Sequence, residues 1–351
     1  MRISRRFAAV VLLAGMLLCL FSGCAGKDPN KRTLSVFNWG DYIDEEVLRI
    51  FEEETGIEVV YSMFETNEDL YTKITSPGSD NYDVIFPSDY IIEKLIDENL
   101  LAEINYDNVP NISLIDEKYL DLPFDPENKY SVPYMWGTVG IVYNTALVTT
   151  EIDSWYDLWD ETYSRNLFMM DSMRDSIGVA LKMLGYSMNT RDMDEINEAI
   201  AMLKEQKPLV LAYTGDEVKD KMIAGEAALA VLYSGDAVTV MDENEDLAYV
   251  VPKEGSNIWF DNMCILASSQ HKTEAEEFLN FMCRTDIAEM NRAYINYSSP
   301  QKEVYENLPE EIQSDPVQYP SDEIYEQCEV YEDLGDYTQI YDQLWTEVIA
   351  S

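Results

Sequence analysis

Residues 33–64, T-L-S-V-F-N-W-G-D-Y-I-D-E-E-V-L-R-I-F-E-E-E-T-G-I-E-V-V-Y-S-M-F, decide how the fold is read. The β-branched and aromatic run 33–37 reads as a strand. Asp44 then caps a helix whose apolar residues Val47, Leu48 and Phe51 share one face, and Gly56 stops it. Residues 57–64 read as a second strand. Strand, helix and strand joined by short loops predict a βαβ unit and a mostly parallel sheet. Between the first strand and its helix stand Trp39, Asp41 and Tyr42, separated by Gly40. Two readings fit them: a turn that folds its aromatics back into the core, or a box for a cation.

The alternation continues outward. Residues 67–74 (N-E-D-L-Y-T-K-I) read as a short helix, 82–87 (Y-D-V-I-F-P) as a third strand, and Ile91 to Glu98 as another helix. Residues 131–144 form a long extended run broken by Gly137 and Gly140. Ser154 to Trp159 reads as a capped helix start, and 228–233 and 257–266 as further strands. From Lys272 onward the chain is mainly helical. At 351 residues it is too long for one ordinary core, and no repeat or low-complexity linker divides it. Two lobes therefore share the chain, with several strands crossing between them as a hinge.

The first 23 residues belong to targeting rather than to the fold. Arg2, Arg5 and Arg6 precede an apolar run from Phe7 to Phe21, and Ser22 and Gly23 stand just before Cys24. This is the pattern of a secretory signal, and a cysteine after a small pair reads as a lipoprotein cleavage site with Cys24 as the lipidated residue. The alternative is a membrane-spanning anchor, but about 15 apolar residues fall short of the roughly 20 that a span needs. Residues 24–32 then form a short polar tether.

With 24 Lys and Arg against 67 Asp and Glu, the formal net charge is −43. Such a surface repels nucleic acid and anionic lipid and attracts cations. Once Cys19 and Cys24 are set aside, Cys264, Cys283 and Cys328 remain, an odd number without metal-ligand spacing, which reads as buried thiols. The single histidine, His271, lies in a polar loop. This argues against zinc hydrolysis and against Ser-His or Cys-His nucleophilic catalysis.

Ligands of α/β sheets sit beyond the carboxyl ends of the strands. After the first strand come Trp39, Asp41 and Tyr42, and after the third come Ser88, Asp89 and Tyr90. Beyond L-F-M-M (167–170) lies D-S-M-R-D, ending in Asp175. Beyond A-L-A-V-L-Y come Tyr233, Ser234 and Asp236, and N-I-W-F-D-N carries Trp259, Asp261 and Asn262. Tyr297 follows near the end. Nearly every strand end thus brings an aromatic with a carboxylate close by, and Arg174 is the one basic residue among them. A lone strand-end aspartate, Asp41 or Asp236, reads more readily as a helix cap than as a ligand, but caps need no aromatic companions. Carboxylates in a low-dielectric cleft are costly without a partner, and aromatic faces attract ammonium groups by about 0.5–2 kcal/mol each. The pattern asks for a cationic ligand with two or more ammonium groups.

N-W-G-D-Y-I (38–43), E-T-G-I-E-V-V-Y (54–61), P-S-D-Y (87–90) and F-D-P-E-N-K-Y-S-V-P-Y-M-W-G-T (124–138) form one half of a motif set. W-Y-D-L-W (155–159), Y-V-V-P-K-E-G-S-N-I-W-F-D-N (249–262) and E-D-L-G (332–335) form the other. Together they resemble the bacterial polyamine-binding proteins of spermidine/putrescine ABC transporters, over nearly the whole chain from residue 33. The resemblance implies a two-lobed periplasmic-binding-protein fold, each lobe a mixed β-sheet flanked by helices. Lobe one takes residues 33–137 with about 264–305, and lobe two takes 138–263 with about 306–351. It implies a monomer on the outer face of the cytoplasmic membrane that closes on its ligand, delivers it to a permease and an ATPase, and needs no cofactor or metal.

By resemblance, Trp39 and Tyr42 match the lip of the first strand, and Ser88 and Tyr90 the P-S-x-Y turn. Asp175 matches a carboxylate that holds one ammonium group, and Trp259 with Asp261 an aromatic wall and the carboxylate for another. Tyr297 matches a phenol near the hinge, and Asp236 a carboxylate of the diamine-binding branch. Three departures leave the ligand's length open: Ser172 stands where the spermidine-binding pattern has a second aspartate, Tyr233 replaces a tryptophan, and Tyr331 replaces a glutamine. Loss of that acid favours putrescine, whereas the spacing of Trp39, Tyr90 and Tyr297 favours spermidine, toward which the reading leans. An extracellular glycosidase with paired carboxylates and aromatic platforms is the competing class, although the strand ends are poor in amide and basic residues. A ligand-presenting sensor component shares the same fold.

Overall fold

A computed structural model of the protein describes residues 32–78 and 81–351. The signal at 1–23, the lipidation site Cys24 and the tether up to residue 31 lie outside the described residues. Among the described residues the strands are β1 (Thr33–Trp39), β2 (Glu58–Phe64), β3 (Val84–Ile85), β4 (Ser131–Asn144), β5 (Leu167–Met170), β6 (Ala212–Thr214), β7 (Leu229–Tyr233), β8 (Leu247–Val250) and β9 (Ile258–Ile265). The α-helices are α1 (Glu45–Thr55), α2 (Asn67–Thr75), α3 (Asp89–Asp97), α4 (Met173–Met183), α5 (Met193–Gln206), α6 (Val218–Ile223), α7 (Ser234–Glu243), α8 (Lys272–Met282) and α9 (Thr285–Ile295). The short α10 (Lys302–Asn307), α11 (Glu310–Gln313) and α12 (Asp322–Gln327) follow, and then α13 (Tyr337–Ala350).

The opening segment folds as its sequence predicts. β1 lies parallel to β2, with Thr33 opposite Glu58 and Trp39 opposite Phe64. Asp44 caps α1 by accepting from the Glu46 amide, and Gly56 at φ 72° ends it by donating to the Glu52 carbonyl. β3 joins β1 in parallel, then β9 and β4 add antiparallel. The first half of β4, from Ser131 to Thr138, pairs with β9. Its second half, from Val139, pairs with β7 and β8. β5 lies parallel to both β7 and β6. The order is β2-β1-β3-β9-β4-β7-β5-β6, with β8 also on β4.

β4 therefore leaves one mixed sheet and enters the other. This explains why it is a long, nearly unbroken buried run: helices and strands cover it on both sides. The fold is a two-lobed α/β architecture, with β4 running from one sheet into the other while β9 pairs wholly within the first. Helices α1 and α8 pack under the first sheet through Phe51, whose ring meets Phe278 and Phe281 edge-on at 5.1 and 5.2 Å. Helices α4, α5 and α13 form a separate apolar cluster beside the second sheet. Arg32, the last tether residue, is fastened to α8 through Glu274 and Glu277 at 3.0 and 2.6 Å.

Three expectations need adjusting. The third strand shrinks to Val84–Ile85. Asp83 and Phe86 still bond to β1, but Pro87 brings no N–H and the chain turns into α3. The helix start at Ser154 is a single 3-10 turn, Trp155–Trp159, with a complete capping box. Asp160 caps a second short turn straight after it. Cys264, Cys283 and Cys328 are free thiols; the first two are buried, while Cys328 is only partly covered.

Candidate functional site

The carboxyl ends of β1, β2, β3, β5, β6 and β7 open toward one cleft of about 550 Å³. Of the residues named at strand ends in the sequence, Ser234 and Asn262 stand outside its lining, while the aromatic and acidic ones and Ser88 line it. Trp39, Asp41 and Tyr42 come from the β1 lip, where Asp41 adopts φ 48° and so turns the chain sharply back toward α1. Ser88 and Tyr90 stand at the start of α3, Asp175 in the first turn of α4, and Tyr233 and Asp236 at the start of α7. Trp259 and Asp261 lie on β9, beside the first half of β4, while Tyr297 and Tyr331 come from the C-terminal segments. Neither aspartate that could have been a cap is one. Asp44 caps α1, and Asp236 sits in the first turn of α7, whose N-cap is Tyr233, and lines the cleft.

The aromatic wall is continuous. Tyr233 meets Trp259 edge-on at 5.9 Å, Trp259 meets Tyr297 at 5.1 Å, and Tyr297 meets Tyr42 at 5.6 Å. Two glycines permit this closeness. A Cβ at Gly235 would stand 2.4 Å from the Tyr297 ring, and one at Gly137 would stand 2.6 Å from the Trp259 ring. The indole N–H groups of Trp39 and Trp259 and the hydroxyl of Tyr42 are buried with no hydrogen-bond partner among the described residues.

Three carboxylates punctuate this wall. Asp261 is 6 % exposed and accepts from Ser88 Oγ at 2.6 Å. Burial pushes its carboxyl up to about 7, against the pull of the Ser88 and Tyr42 hydroxyls. Tyr42 lies close enough to exert that pull but falls short of a true hydrogen bond. Asp175, also buried, accepts from Ser172 Oγ at 2.6 Å, Tyr233 Oη at 2.9 Å and, more weakly, Tyr331 Oη at 3.4 Å. Burial raises its pKa, and the Ser172 and Tyr233 hydroxyls hold it down. Among the described residues, no lysine or arginine forms an ion pair with either carboxylate.

Asp236 differs. Lys219 Nζ, on α6, stands 3.5 Å from its Oδ1. Burial raises the Asp236 pKa, and Lys219 and the Tyr297 hydroxyl oppose the rise. Arg174 likewise serves the protein itself. Its guanidinium carbon lies 4.2 Å from the Tyr331 ring centroid and 5.0 Å from that of Tyr90. It also donates to the Glu332 carbonyl and to Asn189 Oδ1, at 3.1 and 2.9 Å. The picture of strand ends almost free of protein cations is thus corrected at one end, where Lys219 joins the cleft. Sequence reasoning passed over it because β6, the three-residue strand before it, was not recognised.

Two further lining residues were missed. Glu68 accepts from Tyr90 Oη at 3.1 Å, with a pKa raised by burial; it lies just beyond the carboxyl end of β2, where the strand-end rule would have found it. Asp216 follows β6 and shares its invisibility. Among the described residues, no group of three or more histidine, cysteine, aspartate or glutamate side chains is placed to hold a metal ion. No described helix is long and apolar enough to cross a membrane.

The geometry has close relatives among known proteins. Residues 46–318 match the family described as bacterial extracellular solute-binding protein. The spermidine/putrescine-binding periplasmic protein of Salmonella typhimurium is 33% identical over 347 residues, 99% of this chain and 99% of that one. That of Escherichia coli is 34% identical over 97% of each. The spermidine/putrescine ABC transporter substrate-binding protein PotD of Streptococcus pneumoniae, solved with calcium and HEPES, is 41% identical. It aligns with 91% of this chain and 99% of its own, at a TM-score of 0.79. On its sequence and its fold alike, the chain belongs to the bacterial extracellular solute-binding proteins, the family it shares with these spermidine/putrescine-binding relatives.

Proposed function

We propose that the protein captures a polyamine, spermidine or putrescine, between its two lobes and delivers it to the permease and ATPase of an ABC importer. The carrying observation is Asp261. It is a carboxylate buried beside Trp259, held by one serine hydroxyl and paired with no protein cation among the described residues. Isolating a charge in this way costs several kcal/mol, and an ammonium group from the ligand removes that cost. Asp175 offers a second ammonium partner near the Tyr233 end of the wall, and the rings between supply cation–π attraction and cover for methylenes. The names of the relatives agree with this ligand class.

On this reading the lobes are 33–137 with about 264–305 and 138–263 with about 306–351, and they close on the ligand. The chain works as a monomer, tethered through a lipid on Cys24. Calorimetric titration with putrescine, spermidine, cadaverine and a neutral sugar tests the ligand class. Saturable binding of the amines alone supports it, and binding of the sugar with no amine response overturns it. Replacing Cys24 by serine tests the anchor. The variant should move to the soluble fraction with ligand binding unchanged, and a variant still membrane-bound after a high-salt wash would refute lipidation.

A further inference from the structure

Asp236 sits at the Tyr297 end of the aromatic wall, across Trp259 and Tyr233 from Asp175. Along the aromatic wall, three carboxylates could each take an ammonium: Asp175, Asp261 and Asp236. The third already faces an ammonium. Lys219 Nζ lies 3.5 Å from Asp236 Oδ1, with only about a fifth of either side chain exposed. Asp216 and Asp41 also act on Lys219, from the β6 and β1 lips, and together with Asp236 they outweigh the burial that would otherwise discharge it. Asp216 reaches across the cleft to the first lobe, since a Cβ on Gly40 would stand 3.5 Å from its carboxylate.

We infer that Lys219 is a specificity-determining residue: it acts as a resident ammonium at the Asp236 station, so that the ligand is counted by Asp175 and Asp261 alone. This rests on the polyamine reading of the cleft and deepens it. A ligand ammonium approaching Asp236 must displace a tethered one of the same charge, which is already held at high effective concentration. A diamine satisfies both remaining carboxylates. The third charge of a triamine finds aromatic faces along this wall but no unpaired carboxylate there, Glu68 standing off the wall with the Tyr90 hydroxyl bonded to it. The identity of residue 219 thus sets the discrimination between amines of two and three charges.

The test is calorimetric titration of putrescine and spermidine into the full-length protein without its leader, and into Lys219→Met, Lys219→Gln and Lys219→Arg. Removing a positive charge strengthens cation binding in general, so the informative quantity is the ratio of the two affinities. Lys219→Met and Lys219→Gln, which differ in polarity so that one can stand in if the other fails to fold, free Asp236 for the triamine. The spermidine-to-putrescine affinity ratio should rise at least about tenfold, the value of one charge-assisted pair. Lys219→Arg should leave the ratio within about threefold of the parent. Equal gains for both amines, or an unchanged ratio in both neutral variants, would overturn the inference. If the unsubstituted protein binds neither amine, the polyamine reading itself fails, an outcome separable from the variant result.

Discussion

Two aromatic sites in the same cleft make opposite use of one chemistry. Tyr90 and Tyr331, 6.0 Å apart, clasp the guanidinium of Arg174, whose remaining bonds run to Glu332 and Asn189. Tyr233, Trp259, Tyr297 and Tyr42 form an equally continuous wall beside Asp261, yet no described lysine or arginine pairs with that carboxylate. At the first site the protein supplies the cation itself, and the rings brace a buried arginine. The second carries the charge debt that a cationic ligand relieves. Aromatic residues next to acids therefore do not by themselves mark a ligand site; the mark is an acid that lacks a cation of its own.

The contrast is sharpened most by removing the charge at the second site. Asp261→Asn keeps the shape and the Ser88 contact while deleting the partner of a buried ammonium. Amine affinity measured by calorimetry should fall by about 2–4 kcal/mol, roughly 30- to 1000-fold. Asp175→Asn should cost a comparable or slightly smaller amount, because three hydroxyls already share its charge. A change under threefold for both would break the assignment.

The pH dependence comes next in size. The Asp261 carboxyl is raised to about 7 by burial, above its ordinary value of 3.8. In the free protein its ionisation is disfavoured, so its contribution to stability is greatest below about pH 4 and is lost as pH rises toward 7. Amine binding needs the ionised form. Affinity should therefore fall as pH drops, by about 20- to 30-fold between pH 7.5 and 5.5, while the ligand-induced rise in melting temperature grows toward neutral pH. A flat affinity profile over that range would contradict the charge argument.

Smaller effects separate the two aromatic sites. Trp259→Leu keeps an apolar side chain but deletes a ring face, and should weaken amine binding by about 1–2 kcal/mol. Tyr331→Phe keeps the ring over Arg174 and loses one long bond to Asp175 and one to the Arg174 carbonyl. It should change affinity by less than about threefold while lowering the melting temperature, since the hydroxyl is buried and bonded. If Tyr331→Phe cost more affinity than Trp259→Leu, the contrast would be reversed.

Much of this was legible in the sequence, for physical reasons that also mark where legibility stops. Asp44 and Gly56 announce α1 because capping is local chemistry. β4 is readable because a strand covered on both faces is apolar throughout. The strand-end rule found most of the site because a parallel sheet delivers successive loops to one edge. Tyr331, on no strand end, entered only through family resemblance. β6 and β8 were missed because three- and four-residue strands carry too few side chains to show a period. With β6 went Asp216 and Lys219. The pairing of Lys219 with Asp236, and of Arg174 with its two tyrosines, depends on contacts between separate elements, which no local pattern encodes.

The central claim is that the ligand supplies the charge that Asp261 lacks, and proton counting tests it most directly. Calorimetric titration of putrescine at pH 6.5, repeated in buffers of different ionisation enthalpy, measures protons released on binding. Both amines of the ligand are already protonated at that pH, so a released proton must come from the protein. The account predicts release of more than half a proton per ligand by the unsubstituted protein, as a carboxyl raised to about 7 becomes ionised, and a much smaller release by Asp261→Asn. Binding without proton release, or equal release from both proteins, would contradict it.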